Sequence, residues 1–113
     1  CVCLMVWCGV VRCVRAGFGS LAGDSPALLE EALRLGYRLL DLSRQDGASE
    51  EAVGRLLQQH LADPAVPLRS EVFLTSKVWP THLGYGPTSD EVTKSLIALQ
   101  TAYVDLYMIH WPV

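Results

Sequence analysis

The stretch "YVDLYMIHW", Tyr103 to Trp111, is the length of one strand and apolar along almost all of it. A strand with one face in water alternates polar and apolar residues, whereas a strand covered on both faces stays apolar throughout. This run is of the second kind, yet it ends in an imidazole, His110, set between Ile109 and Trp111. Three earlier runs share its character: "VRAGFGS" at 14–20, "YRLLDL" at 37–42 and "EVFLTSKVW" at 71–79.

Between these runs the period changes to that of a helix. Ser25 and Pro26 provide a cap and a first-turn proline for a helix carrying Leu28, Leu29, Ala32, Leu33 and Leu35, which Gly36 stops. Ser49, Glu50 and Glu51 make an acidic start to a second helix, with Ala52, Val53, Leu56, Leu57 and Leu61 as its inner face. Thr88 and Glu91 stand at capping-box spacing before a third, lined by Val92, Leu96 and Leu99. Strands alternating with helices of this length form right-handed βαβ units on a parallel sheet. The expectation is an α/β fold of about four parallel βα units.

Composition narrows the function. With 113 residues the chain is one domain at most, and with half of them hydrophobic it folds rather than staying disordered. Nine basic against twelve acidic side chains, with no basic cluster, leave no footprint for nucleic acid. The uncharged opening "CVCLMVWCGVV" is too short to span a bilayer and lacks a basic leader region, so no membrane partner is expected. Cys1, Cys3, Cys8 and Cys13 all fall in the extension at 1–13 and lack the paired knuckles of a zinc site, so no metal is expected. The cysteine-free remainder suits a cytoplasmic, reducing location.

Polar residues at the ends of the runs carry the chemistry. Asp41, Lys77 and His110 close the second, third and fourth runs, where parallel strands converge on one rim. A carboxylate, an ammonium and an imidazole at one strand level suit proton transfer. The plainer alternative is an inter-strand ion pair, Asp41 with Lys77, that merely neutralises charge.

At these residues the chain resembles the first half of an aldo-keto reductase. "GYRLLDLS", "FLTSKVWPTHLGYG" and "LQTAYVDLYMIHWP" match that family's aspartate, lysine and histidine strands, and "GFGS" its first strand loop; together they cover residues 14–113 as one partial reductase domain. The resemblance implies part of a TIM (β/α)8 barrel that reduces aldehyde or ketone carbonyls with NADPH. It places Asp41 against Lys77, gives Lys77 the task of tuning a catalytic tyrosine, and has His110 orient the carbonyl oxygen. Trp79 and Trp111 fall at the family's aromatic substrate walls, although ordinary packing explains aromatic residues there as well. Gly19, Ser20, Leu21 and Asp41 match positions near the nicotinamide.

Two departures change what is expected of the chemistry. The family's tyrosine lies five residues after the aspartate, where this sequence has Asp46, and no tyrosine occurs between Tyr37 and Tyr85. A carboxyl titrates near ~3.9 and a phenol near ~10, so a carboxylate in that place has no proton to give at neutral pH. The chain also holds four units where a whole barrel needs ~250 residues. An open, truncated half barrel is therefore expected, with weak NADPH affinity, impaired turnover and strand edges that favour self-association. A catalytically silent interaction module is the alternative.

Overall fold

Four parallel strands pair in chain order, β1 (Gly17–Gly19), β2 (Leu39–Asp41), β3 (Phe73–Val78) and β4 (Leu106–Ile109). The helices between them are α1 (Pro26–Arg34), α2 (Gly47–Gln58) and α3 (Tyr85–Leu99), with single 3-10 turns at Arg69–Glu71 and Pro80–His82. The computed structural model describes residues 17–19, 26–44, 47–59 and 63–111. The extension at 1–13 with its cysteines, and Ser20, Leu21, Ser25, Asp46 and Leu61, lie outside the described residues. Instead of four βα units, the described residues form three complete ones and a fourth strand. The consecutive parallel order is nonetheless that of a segment of an α/β barrel wall.

The two sides of the sheet differ because side chains alternate along each strand. Leu40, Leu42, Leu74 and Val78 are buried on the side covered by helices. Leu40, Leu42 and Leu74 join one core with Leu29 and Leu33 of α1, Ala52, Val53, Leu56 and Leu57 of α2, and Leu99 of α3. Leu39, Asp41, Phe73, Lys77 and Met108 belong to the opposite side and are only half-buried. Burying a leucine removes apolar surface worth roughly 1.5–3 kcal/mol from water, so the helix-facing leucines fix which side each strand presents.

Local signals act as the residue types require. Pro26 opens α1, where its missing N–H has no acceptor to satisfy. Gly36 ends it at φ +96°, a backbone conformation that side chains resist, while the N–H of Tyr37 donates to the carbonyl of Ala32 at 3.0 Å. At the amino end of β4, Asp105 accepts from the Leu74 N–H at 2.9 Å and from Arg69 at 2.8 Å, pinning the strand's entry.

The third helix departs from expectation. It begins at Tyr85, before the Thr88–Glu91 pair, so these residues lie inside it and cap nothing. The Thr88 hydroxyl donates to the His82 carbonyl at 3.0 Å, and Glu91 turns inward. The buried residues of α3 are Glu91, Ser95 and Leu99, while Val92 and Leu96 are only half-buried. The apolar period is a poor guide here because the helix buries polar groups that find partners on the helix-facing side, Glu91 with Lys94 and Arg44, and Ser95 with Tyr107.

Gly54 lets α2 and α3 approach closely: a Cβ there would stand 2.8 Å from the Leu99 carbonyl carbon and nearer still to the Ala98 carbonyl oxygen. Both obstacles are backbone, so the helices themselves must separate to admit a methyl group. Gly54→Ala is expected to lower stability by about 1–3 kcal/mol, measured as a shift in the urea midpoint at unchanged slope.

Candidate active site

The register of β2 against β3 sets Asp41 opposite Thr75. Two residues further on the same side stands Lys77, whose stem reaches back so that its ammonium donates to Asp41 Oδ1 at 2.6 Å and to the Leu42 carbonyl at 3.2 Å. The Thr75 hydroxyl donates to that same Oδ1 at 2.5 Å. The Lys77 side chain is 20% exposed and that of Asp41 40%, so the pair is shielded from water without being cut off from it.

From β3 to β4 the ladder matches Lys77 with Met108 and Val78 with Ile109. The His110 N–H donates to the Val78 carbonyl at 3.0 Å, carrying the ladder one step past β4 and setting His110 beside Trp79. The His110 ring lies 4.9 Å from Trp79 and 4.6 Å from Trp111 between centroids, and the two indoles meet edge-on at 6.2 Å. Its Nδ1 is buried and makes no hydrogen bond among the described residues. A buried polar atom of this kind normally finds a partner, and the half-buried ring between the two indoles stands at the rim end of the strand.

Asp41, Lys77 and His110 thus share one side of the sheet, as their places at the strand ends imply, but not one strand level. Each is displaced by two residues from the one before, since Asp41 matches Thr75 and Lys77 matches Met108. Strands that tilt around a barrel axis reach equal height at staggered register, which accounts for the offset. Gly19 closes β1 opposite Asp41, so its main chain borders the same rim. Ser20 and Leu21, the other residues expected near a nicotinamide, and Asp46 lie outside the described residues.

A second polar group occupies the helix-facing side. Glu50 is fully buried and accepts from the Ser76 hydroxyl at 2.7 Å and from Arg44 at 3.1 Å. Arg44 also approaches Glu91 at 3.5 Å, and Lys94 donates to Glu91 at 2.7 Å. Trp79, Arg44, His82 and Glu91 line an open cleft of about 250 Å³ where this group meets the rim. The Lys94 hydrogen bond holds the Glu91 carboxyl below the usual carboxylate range, against the opposing effect of burial. Burial between α3 and β4 pushes the Tyr107 phenol up, while its contact with Ser95 opposes the shift. Tyr107 matches Ser76 in the ladder and so faces the helices, away from Lys77. This group was not legible in the sequence, since Glu50 and Glu91 read as helix-start signals and nothing in a single stretch shows that they meet Arg44, Ser76 and Lys94.

The sequence pattern of the Aldo/keto reductase family matches residues 22–113. An aldose reductase of Encephalitozoon cuniculi is 42% identical over 101 residues, covering 86% of this chain and 32% of that protein. An aldo-keto reductase of Mycolicibacterium vanbaalenii is 44% identical over 100 residues, covering 88% and 34%. Among solved structures, the aldose reductase of Giardia lamblia superposes with a TM-score of 0.75 at 31% identity, over 86% of this chain and 33% of that one. An aldo-keto reductase complexed with NADPH superposes at 0.72 with 26% identity, over 85% and 32%. The chain belongs to the aldo/keto reductase family, and it spans about a third of the length of the relatives it matches.

Glu91 is expected to contribute to the pH dependence of stability. A carboxyl whose folded affinity for protons is depressed stabilises the fold above its unfolded pKa and loses that effect as pH falls. Lowering the pH from 7 toward 3.5 should therefore destabilise the natural chain more steeply than Glu91→Gln. The gap between the two in urea titrations is expected to close in acid.

Proposed function

We propose that this chain carries the polar core of an aldo-keto reductase site, acting on aldehyde or ketone carbonyls with NADPH, and that it does so with impaired turnover. The observation that carries the reading is the 2.6 Å Lys77–Asp41 pair on the same side of the sheet as His110, whose ring stands between Trp79 and Trp111 and whose Nδ1 has no hydrogen-bond partner among the described residues. The residues present are in keeping with the nicotinamide end of such a cofactor: the rim offers the Gly19 main chain beside Asp41 and the half-buried His110 ring between two indoles. Gly19, Ser20, Leu21 and Asp41 would hold that end, and when bound the cofactor supplies the hydride.

On this reading His110 hydrogen-bonds the carbonyl oxygen and fixes its direction, and the indoles of Trp79 and Trp111 exclude water and confine the substrate's apolar part. Charge that develops on the oxygen needs a proton as it forms. Lys77, steadied by Asp41, would ease that proton from a neighbouring acid. At position 46 the sequence offers a carboxylate in place of the family's phenol. A missing general acid typically costs about 10²–10⁴ in rate, which is the basis for impaired turnover.

A second reading, a silent interaction module that self-associates through its sheet edges in a cytoplasmic setting, draws on different observations. Ile109 is 55% exposed and Trp111 53% exposed, an apolar pair at the β4 edge. A stable dimer in sedimentation, formed without cofactor, would favour it. Neither reading involves nucleic acid or membrane, and among the described residues no helix is long and apolar enough to cross a bilayer.

Two measurements test the first reading. The purified chain is expected to bind NADPH more weakly than micromolar by fluorescence and to reduce an activated aromatic aldehyde barely, if at all. Asp46→Tyr, in this chain joined to the later strands of a relative, should then raise reduction by about 10²-fold or more. Failure of that variant, with the barrel shown to be folded, would count against Asp41, Lys77 and His110 as an inherited site.

A further inference from the structure

We propose that Thr75 is a positioning residue for the Asp41–Lys77 pair, holding the carboxylate in the one rotamer from which it grips the ammonium. The inference rests on the reading of that pair as part of the site, and it concerns a residue which neither the motifs nor the comparisons single out. Two hydrogen bonds to Asp41 converge on a single oxygen: Thr75 donates to Oδ1 at 2.5 Å and Lys77 donates to the same Oδ1 at 2.6 Å. Thr75 is 4% exposed, whereas the Asp41 side chain is 40% exposed. Water therefore competes for the carboxylate far more readily than for the hydroxyl that anchors it. Short polar side chains in water sample several rotamers, and only a fixed partner on a rigid element removes that freedom. Thr75 meets the requirement, since it lies within β3 directly opposite Asp41 in the ladder.

The geometry also explains why the anchor is a hydroxyl on this strand. Lys77 comes from two residues further along β3 and must reach back; the Leu42 carbonyl, at 3.2 Å, fixes one side of its ammonium, and a carboxylate free to rotate would leave the shorter, 2.6 Å contact unfixed. Thr75 supplies the fixed point from the same strand, locking the distance between the two ends of the lysine's reach. The neighbouring hydroxyl cannot do this, because Ser76 points to the other side and is taken by Glu50.

The sequence contains two lysines, Lys77 and Lys94, which gives an internal standard. The folded chain is exposed briefly to an N-hydroxysuccinimide ester of acetate at fixed pH, and acetylation of Lys77 relative to Lys94 is read by peptide mass spectrometry. Asp41→Asn sets the ratio for a released lysine. Thr75→Val should raise the Lys77:Lys94 ratio by about threefold or more towards that limit, while Thr75→Ser, which keeps the hydroxyl, should stay within about twofold of the natural chain. If Thr75→Val does not fold, Thr75→Ala is compared with Thr75→Ser instead. An increase with Asp41→Asn but none on losing the hydroxyl would overturn the role of Thr75 and leave the ion pair standing. Equal increases with valine and serine would assign the effect to packing and overturn it too. No increase even with Asp41→Asn would show that the pair does not restrain Lys77, so the reading beneath it fails.

Discussion

The register between β2 and β3 is the constraint on which the rest depends. Leu40, Leu42 and Leu74 are almost completely removed from water on the helix side. A slip of one residue would turn them to the other side and bring Asp41 or Lys77 into the core, at a cost far beyond any ion pair's gain. The apolar half of each strand thereby dictates where the polar half goes. The pair at 2.6 Å is a consequence of leucine burial rather than a cause of the fold.

The two sides of the sheet solve the problem of polar groups differently. On the rim side, Asp41 and Lys77 keep partial contact with water, so their attraction is damped and the pair stays responsive to a ligand. On the helix side, Glu50 has no contact with water and is held by Ser76 and Arg44. An ion pair so deeply placed brings little net stability but punishes the loss of either member. Ser76 and Lys77 are adjacent residues that serve opposite sides, so β3 is fixed from behind by Glu50 and engaged from the front by Asp41.

The strand order and the sharing of one side by Asp41, Lys77 and His110 were legible because strand periodicity and chain order leave few arrangements for parallel units. Gly36 as a helix stop was legible for a local reason, its positive φ. Other features depend on which residues meet across elements, which no window of sequence reports. The stagger between strand ends follows from barrel tilt, and Thr75 looks like any β-branched strand residue until Asp41 is set opposite it. The buried faces of Glu91 and Ser95 ran against the apolar period, and Gly54 gave no sign that the Ala98 and Leu99 backbone would press on it. Where the sequence departs from its relatives, at Asp46, the difference was plain from the residue type alone.

Family membership supplies a lineage, and the rim supplies a geometry in keeping with it, while chemistry depends on which groups can hold and release a proton. What unites these strands is the placing of carboxylate, ammonium and imidazole on the side of one sheet that faces away from the helices. The most direct test is nuclear Overhauser spectroscopy of the labelled chain in solution. The account predicts contacts from the Lys77 methylenes to Thr75 and Met108, and from the His110 ring to both neighbouring indoles. Contacts from Lys77 to Val53 or Leu57 of α2 would put the ammonium on the helix side and contradict it.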